Sequence, residues 1–568
     1  MPRRLVFWTV AVLAAAAACW QAWALRWSCD DAYISFRYAQ HFVEGHGLVY
    51  NLDPGEPPVE GYTNFAWTLW LAIGWWLGCT DPGIEAWASA GGALCHGATV
   101  ALLAAIAWRA SNGRAAVPVA ACGYAALHHA ASLAPAGLET ALFVLLATAM
   151  LRFCLSLRCA REAWLLGFLG VLAAMTRPDG ALLAAAAFAF VLHDAWRRRA
   201  VRLLVGYVVP FLVVFVPYLL WRHAYYGQWV PNTFFAKSGG DPYPGQGLRY
   251  VAAFASCYWA LLPALPLLGW FLVRRPDPLA PLCFGLGRRP WAVLAAFVLP
   301  YLAFVVWVGG DFMFARFVLP VVPALLLAYD IACQRWRRPW LPAAAAAALV
   351  FGLWLRAEPA WLADHTNPHG FSDNRAISVA EAAPGLPRTE AFRRAGERLR
   401  ELFAGLDVRI AFGGSQANLA FRSRVPVAVE LYGLTDAFIA RRPLARRGQA
   451  GHEKGYLQCP GYYEQRGVHF HFEGAYGSAD AWRRIVFPGP VPVGAQLVVY
   501  DRELMQELRR RAPDLVAVDF ERLLDDYLAQ LDGRPKAEVA ADYAKFRAAW
   551  FDHTDDPRRQ AAFEQFLQ

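Results

Sequence analysis

The chain has 568 residues, of which 57% are hydrophobic and only 17% charged, with 24 tryptophans and 36 phenylalanines. Soluble domains carry about 25% charged residues, so a wholly soluble protein is excluded. The formal net charge of +9 does not point to nucleic acid, because the arginines sit in short loops between apolar runs, which is the pattern of membrane topology.

The charge deficit is confined to residues 1–355, while 356–568 have ordinary soluble composition. Two parts are expected, a membrane domain at 1–355 and a globular domain at 356–568 long enough to bury its own core. The 11 cysteines are scattered without a CxxC pair, and 356–568 contain only Cys459, which excludes an internal disulfide there.

A span of the hydrocarbon core needs about 20 apolar residues. Runs near this length lie at 5–25, 84–108, 115–133, 138–157, 163–176, 179–195, 200–221, 249–273, 290–308, 315–333 and 339–355. The first lacks a following cleavage site, carries Trp20, Trp23 and Trp27, and is read as a retained helix rather than a signal peptide. One further run, 65–78, is short and tryptophan-rich, as an interfacial segment would be.

The positive-inside rule decides how 65–78 is counted. Arg3 and Arg4 start the chain in the cytoplasm. If 65–78 does not cross, Arg109 and Arg114, then Arg152, Arg158 and Arg161, then Arg197, Arg198, Arg199 and Arg202 all fall on that side. So do Arg274, Arg275, Arg288 and Arg289, and finally Arg335, Arg337 and Arg338. The expectation is therefore about eleven spans, with 65–78 in the outer interface and 356–568 outside the cytoplasm.

The outer loops are then 26–83, 134–138, 177–179, 222–248 and 309–316. Loop 26–83 begins with the acidic pair Asp30 and Asp31. Residues 31–43 have helical spacing, with Asp31, Ile34, Tyr38 and Phe42 on one face and Tyr33, Arg37 and His41 on another. A helix lying on the membrane is expected, with Asp30 as its N-cap. Adjacent carboxylates at the membrane surface suit general-base work. The later loops bring Glu139, Arg177 with Asp179, then Arg222, His223, Asn232 and Lys237, then Asp311 with Arg316. Singly, each is a charge near a helix end. Together they place carboxylates and cations at one membrane face, as a lipid-phosphate donor requires: cations to neutralise the phosphate and a carboxylate to activate the acceptor. The spans carry almost no ionisable residues at mid-depth, which argues against an ion-coupled transporter.

In the C-terminal part, 386–405 has helical periodicity, 408–414, 426–431 and 496–501 read as strands, and a helix follows 501, so an α/β domain is expected. Gly413-Gly414-Ser415 after a strand reads as a turn more readily than as a phosphate loop. His469 and His471 share a strand face, with Glu473 near them as a third metal ligand in principle.

The runs DDAYISFRYAQ, GHGLVYN and VEGYTNFAW, followed by GLET, TRPDG, YYGQWVPNTFFAK and GGDFMFAR, resemble the GT-C superfamily of membrane glycosyltransferases. The nearest branch is that of the terminal arabinofuranosyltransferases of cell-wall polysaccharide synthesis. The resemblance continues through LYGLTDAFIAR and GHEKGY in the C-terminal part. It implies inverting transfer of a sugar, arabinofuranosyl in the nearest branch, from a polyprenyl-phosphate carrier to an extracytoplasmic glycan or glycoprotein, at the bacterial cytoplasmic membrane. The base would be Asp30 or Asp31, with Asp30 favoured because it leads the motif. Donor contacts would come from Arg37, His41, Tyr62, Asn64, Glu139, Arg177, Asp179, Asn232, Lys237, Asp311 and Arg316, and weaker acceptor contacts from His452 and Glu453. The resemblance leaves a divalent cation open and implies no other cofactor. The rival readings are a transporter of lipid-linked saccharides and a non-catalytic envelope-assembly protein.

Overall fold

The structure is a computed structural model, and it describes every residue except 1–2, 238–239, 274–288, 336–339, 384, 414–415, 445, 455–458 and 473–479. Arg274, Arg275, Arg288, Arg337, Arg338, Gly414, Ser415 and Glu473 thus lie outside the described residues.

The predicted apolar runs fold as helices. Four are long and apolar enough to cross a membrane individually: Arg3–Ala24, Gly83–Ala110, Val201–Tyr226 and Arg289–Val308. Thr140–Leu155, Leu319–Cys333 and Leu341–Trp354 are shorter apolar helices. Small residues let these helices pack closely. A Cβ on Gly97 would strike Cys19 of the first helix, and one on Gly92 would strike the Ala134 carbonyl. Their outer faces expose large apolar side chains, among them Val12, Leu13, Leu212 and Val213, which call for lipid as solvent.

Two runs expected as single spans are not single helices. Residues 115–133 form Val119–Ala125 and His128–Leu133, with the break at Ala126 and Leu127. The buried carboxylate of Asp330 accepts the N–H groups of Val119 and Ala120 at 3.1 and 2.7 Å, satisfying donors the short helix leaves free. Residues 249–273 form a pair of helices bent by 90°. The break falls at Tyr258, whose N–H still closes on the Phe254 carbonyl at 2.8 Å before the chain turns into the short helical turn Trp259–Leu261.

The short aromatic run folds as Phe65–Trp76, 12 residues. At about 1.5 Å per residue it is about 18 Å long, against about 30 Å of hydrocarbon. Its first turn sits against the outer loops, with Trp67 donating to the Gly137 carbonyl at 2.8 Å. Beyond its last turn, Asp81 pairs with Arg422 of the C-terminal part. Both ends therefore meet one layer of the molecule, and the helix does not separate loop 26–64 from the loops that follow.

The C-terminal part carries a six-stranded mixed sheet in the order Val427–Glu430, Arg409–Phe412, Phe470–Phe472, Val493–Leu497, Arg484–Phe487, Val516–Ala517. The first three strands are parallel and the remaining pairings antiparallel. The expected strand at 496–501 is displaced to Val493–Leu497. The amphipathic helix Arg388–Phe403 forms as its periodicity predicts.

This part docks on the first outer loop through helix Ala417–Ser423. Phe421 enters a nest of rings from Tyr33, Phe36 and Trp75 at 5.8, 6.0 and 6.1 Å between centroids. The apolar core therefore runs from the helical layer into the sheet layer.

Candidate functional site

Helix Asp30–Val43 starts the site. Consecutive helical side chains diverge by about 100°, so Asp30 and Asp31 cannot face the same way. Asp30 turns to the C-terminal part, where its two oxygens accept the N–H groups of Ala417 and Asn418 at 3.1 and 3.2 Å. Asp30 is thus not the N-cap of its own helix; Cys29 holds that position, and Asp30 caps helix Ala417–Ser423. Burial raises the Asp30 carboxyl to about 7, with the Ala417 N–H opposing and the Asp31 charge reinforcing the shift.

Asp31 turns the other way, into a small pocket shared with Ser35, Tyr62, Asn64, Glu139, Thr233, Lys237, Arg316 and Leu434. Its carboxylate makes no hydrogen bond or ion pair among the described residues. The Gly309-Gly310 turn leads into the segment that delivers Arg316 to this pocket, with Asp311 paired to it. Both glycines have positive φ (+89° and +76°), and a Cβ on Gly310 would collide with the Tyr250 ring.

Behind the pocket runs a buried charge network. Arg316 Nη2 donates to Glu139 Oε1 at 2.9 Å and Nη1 reaches Asp311 at 3.4 Å. Arg177 Nη1 lies 3.6 Å from the same Glu139 oxygen, and its Nε donates to Asp179 at 2.9 Å. Tyr301 donates to the other Asp179 oxygen. Asn64 donates to Glu139 Oε2 at 3.1 Å and accepts from Ser35 and Thr68, each at 3.2 Å. Burial alone would raise the Glu139 carboxyl, but the two guanidiniums outweigh it and hold it below the usual range. Arg316 Nε and Arg177 Nη1 have no hydrogen-bond partner among the described residues, so both arginines retain donor capacity.

Lys237 follows the short helix Asn232–Ala236 and makes no ion pair among the described residues; its Nζ lies 5.8 Å from the Phe312 ring centre. Gly451 lies against its aliphatic chain, so the start of the GHEKGY run stands beside Lys237. His452 packs edge-on to both Phe312 and Tyr432 at 4.5 Å. Burial lowers its pKa to about 4, with the charges of Asp31, Lys237 and Asp311 acting on it. His452 is therefore a neutral neighbour of the pocket.

Several expected contacts lie elsewhere. Arg37 is buried and donates to the carbonyls of Tyr50, Ala420, Val425 and Pro426, so it ties the first outer loop to the C-terminal part and is not directed at the pocket. His41 meets the Val49 carbonyl at 3.0 Å, and burial lowers its pKa to about 3. Asn232 donates to the carbonyls of Gly433, Leu434 and Asp436, clamping the LYGLTD turn. Glu453 pairs with Arg447 at 2.9 Å and accepts the Gly448 N–H, closing its own loop. His469 accepts the Arg409 N–H through Nδ1, and neither it nor His471 belongs to a three-ligand group among the described residues.

Two buried acids escaped the reading of the sequence. Glu60, inside the VEGYTN run, accepts from Arg222 Nε at 2.6 Å and is raised by burial to about 7. Glu430 ends an apolar strand, and its oxygens accept the N–H groups of Tyr432 and Leu434. Burial raises it to about 8, opposed by those two bonds and reinforced by Asp31 and Asp30. A carboxylate closing the run VAVE was the available signal.

A larger groove of about 410 Å³ lies on the far side of Gly61 and Thr435, lined by Asp53, Glu56, Tyr225, Phe438, Tyr462 and Arg466 among others.

No family model matches the chain. It is similar to the terminal β-(1→2)-arabinofuranosyltransferase of Mycobacterium tuberculosis, 31% identical over 361 residues, which are 57% of this chain and 55% of that protein. It is also similar to the protein of the same name from Corynebacterium glutamicum, 28% identical over 395 residues, 61% of this chain and 54% of that one. The chain thus spans about half the length of the curated relatives it matches. In structure it is similar to ArnT from Cupriavidus metallidurans bound to undecaprenyl phosphate, with a TM-score of 0.50 at 15% identity, covering 74% of this chain and 85% of ArnT. The apo form of ArnT gives the same score at 11% identity over 86% of this chain and 97% of ArnT.

The chain has the ArnT fold. The GT-C architecture implied by the sequence resemblance is therefore present, and the apolar helices with their ArnT counterpart make this a multi-pass membrane protein.

Proposed function

We propose that the chain transfers a glycosyl residue, arabinofuranosyl as the leading candidate, from a polyprenyl-phosphate carrier to an extracytoplasmic glycan or glycoprotein. The names of the two relatives support the sugar. The fold shared with ArnT, a protein crystallised with undecaprenyl phosphate, supports the carrier. The observation that carries the reading is the division of the acidic pair: Asp30 is spent on two backbone N–H groups, while the Asp31 carboxylate, without a hydrogen bond or ion pair among the described residues, shares a pocket with Arg316 and Lys237.

In this reading Asp31 is the general base. It accepts the proton of an acceptor hydroxyl as that oxygen bonds to the anomeric carbon. The bond from the anomeric carbon to the phosphate oxygen breaks, and its electron pair leaves with the polyprenyl phosphate. Displacement from the opposite face inverts the anomeric centre. Arg316 and Lys237 stabilise the charge that grows on the phosphate. Glu139 and Asp311 hold the Arg316 fork in place. The acceptor approaches from the groove beside Gly61 and Thr435, whose aromatic and acidic lining suits a sugar chain. The membrane is the bacterial cytoplasmic membrane, with the N-terminus inside and residues 356–568 outside as a separate domain.

The test uses full-length protein in membranes with radiolabelled polyprenyl-phosphate sugars. Removing a general base costs about 10²- to 10⁴-fold. Asp31→Asn is expected to lose activity on that scale while still binding donor, and Asp30→Asn to stay within about tenfold of the parent. Full activity in Asp31→Asn would overturn the base assignment. Lipid movement without sugar transfer, for every donor tried, would replace the transferase reading with a transporter.

A further inference from the structure

Outside the pocket, at the junction of the helical layer and the C-terminal part, His129 stands in the first turn of the helix His128–Leu133 and is 1% exposed. Its ring is fixed on two sides. Phe314 packs edge-on at 4.8 Å, and the Tyr258 hydroxyl meets Nδ1 while accepting the backbone N–H of His129 at 3.1 Å. Nε2 is thereby aimed at two acids, and it has no hydrogen-bond partner among the described residues.

Among the described residues, each of the two acids keeps one oxygen without a hydrogen bond. Asp373 uses Oδ1 to accept the N–H groups of Arg375 and Ala376, and its Oδ2 stands 3.9 Å from His129 Nε2. Glu358 uses Oε2 to accept from Arg356 at 2.9 Å. One ligand atom from each of His129, Glu358 and Asp373 lies within 4.8 Å of the other two. A gap of 3.9 Å is too long for a hydrogen bond. It suits two ligands of one ion: bonds of about 2.0–2.2 Å set ligand atoms about 3.3–3.6 Å apart around a tetrahedral centre.

We propose that His129, Glu358 and Asp373 form a binding site for a divalent first-row transition-metal ion of the Zn²⁺ or Mn²⁺ type. One imidazole nitrogen with two carboxylate oxygens suits these ions better than Ca²⁺ or Mg²⁺, which take oxygen ligands. Binding requires the tautomer in which Nδ1–H donates to the Tyr258 oxygen, through the lone pair not used by the His129 backbone N–H. The ion would join segments that are distant in the chain. Glu358 and Asp373 flank the connection from the last apolar helix to the sheet. That connection exchanges backbone hydrogen bonds with the loop carrying Asp311 and Arg316: Phe314 donates to Ser372 at 2.9 Å, and Ser372 to Phe312 at 3.0 Å. The site is thus a clamp that pins the connection against the loop that lines the pocket. It stands independently of the reading of the pocket itself.

The experiment uses full-length protein in detergent, stripped with EDTA, dialysed, and loaded with Zn²⁺ and separately with Mn²⁺. Bound metal is counted by mass spectrometry after gel filtration, and melting temperature is recorded with and without metal. The parent is expected to retain one ion more per chain than Glu358→Gln and His129→Gln. Its melting temperature should rise on loading by about 5 °C, as binding to the native state alone requires. Glu358→Gln, the milder change at a half-exposed side chain, keeps the test decisive if His129→Gln fails to fold. Equal metal in the parent and Glu358→Gln would assign it to other groups, such as the exposed thiol of Cys159, and overturn the site. So would a melting temperature of the parent unmoved by both ions.

Discussion

Arg37 and Asp30 show how a charged side chain on the first outer loop can be consumed by architecture. The Arg37 guanidinium is buried and gives four hydrogen bonds to carbonyls, three of them from residues 420–426. Removing it would strand those carbonyls. Asp30 does the complementary work with N–H groups 387 and 388 residues away. No local pattern could reveal this, because the partner is backbone from the far end of the chain. The sequence therefore favoured Asp30 only by its place at the head of the motif, whereas the base proposed above is Asp31. A pH dependence follows. Asp30 is raised from 3.8 to about 7, first by burial. A carboxyl raised on folding stabilises the fold below its unfolded value, and that contribution is lost as pH rises through the folded value. The melting temperature should thus carry a downward slope between about pH 4 and 7, and Asp30→Asn should flatten it. An identical slope in the variant would show that the proton is bound elsewhere, with Glu60 and Glu430 next in line.

At the scale of the element, hydropathy located the helices but not their bends. It sums composition along the chain and cannot see where Asp330 caps a broken helix or where two helices turn by 90°. The strand pattern was legible where strands are buried on both faces, as in Val427–Glu430, and illegible for Arg484–Phe487 and Val516–Ala517, which are short and half-exposed. Helix Ala417–Ser423 was also missed, although it organises the junction. Its Arg422 is 1% exposed, donates to Asn418 at 2.6 Å, and forks onto Asp81 and Glu85 beyond the short aromatic helix. Breaking a buried pair from one side costs about 3–5 kcal/mol. Arg422→Met should destabilise the detergent-solubilised protein by that order in a denaturant titration. Arg422→Lys should recover less than half, since one ammonium cannot serve both carboxylates with the same geometry. Full stability in Arg422→Met would mean that the ring nest around Phe421 holds the junction unaided.

At the scale of the molecule, every pocket group depends on which loops share a face, and that depends on the short aromatic helix. The structure joins residues from both sides of it directly: Asn64 before it and Arg316 far after it both bond to Glu139. Such contacts are incompatible with a full crossing between 65 and 78. The next helix, Gly83–Ala110, has 28 residues. At about 1.5 Å per residue it is about 42 Å long, enough to cross with a tilt. Its first turn carries Glu85, which binds Arg422 of the C-terminal part, while its far end carries Arg109. In the proposed topology residue 112 and the C-terminal part lie on opposite sides of the bilayer, with residue 112 on the cytoplasmic side by the arginine bias. A reporter fused after residue 112 should be active only where cytoplasmic reporters are, and one fused after Gln568 only where exported reporters are. The same side for both would require the polypeptide to cross an odd number of times more or fewer after residue 112, which the contact of Glu85 with Arg422 does not allow. Opposite sides in the reverse sense would keep the pocket intact but move it to the cytoplasmic face, and with it the pool of acceptors the proposed transferase can reach.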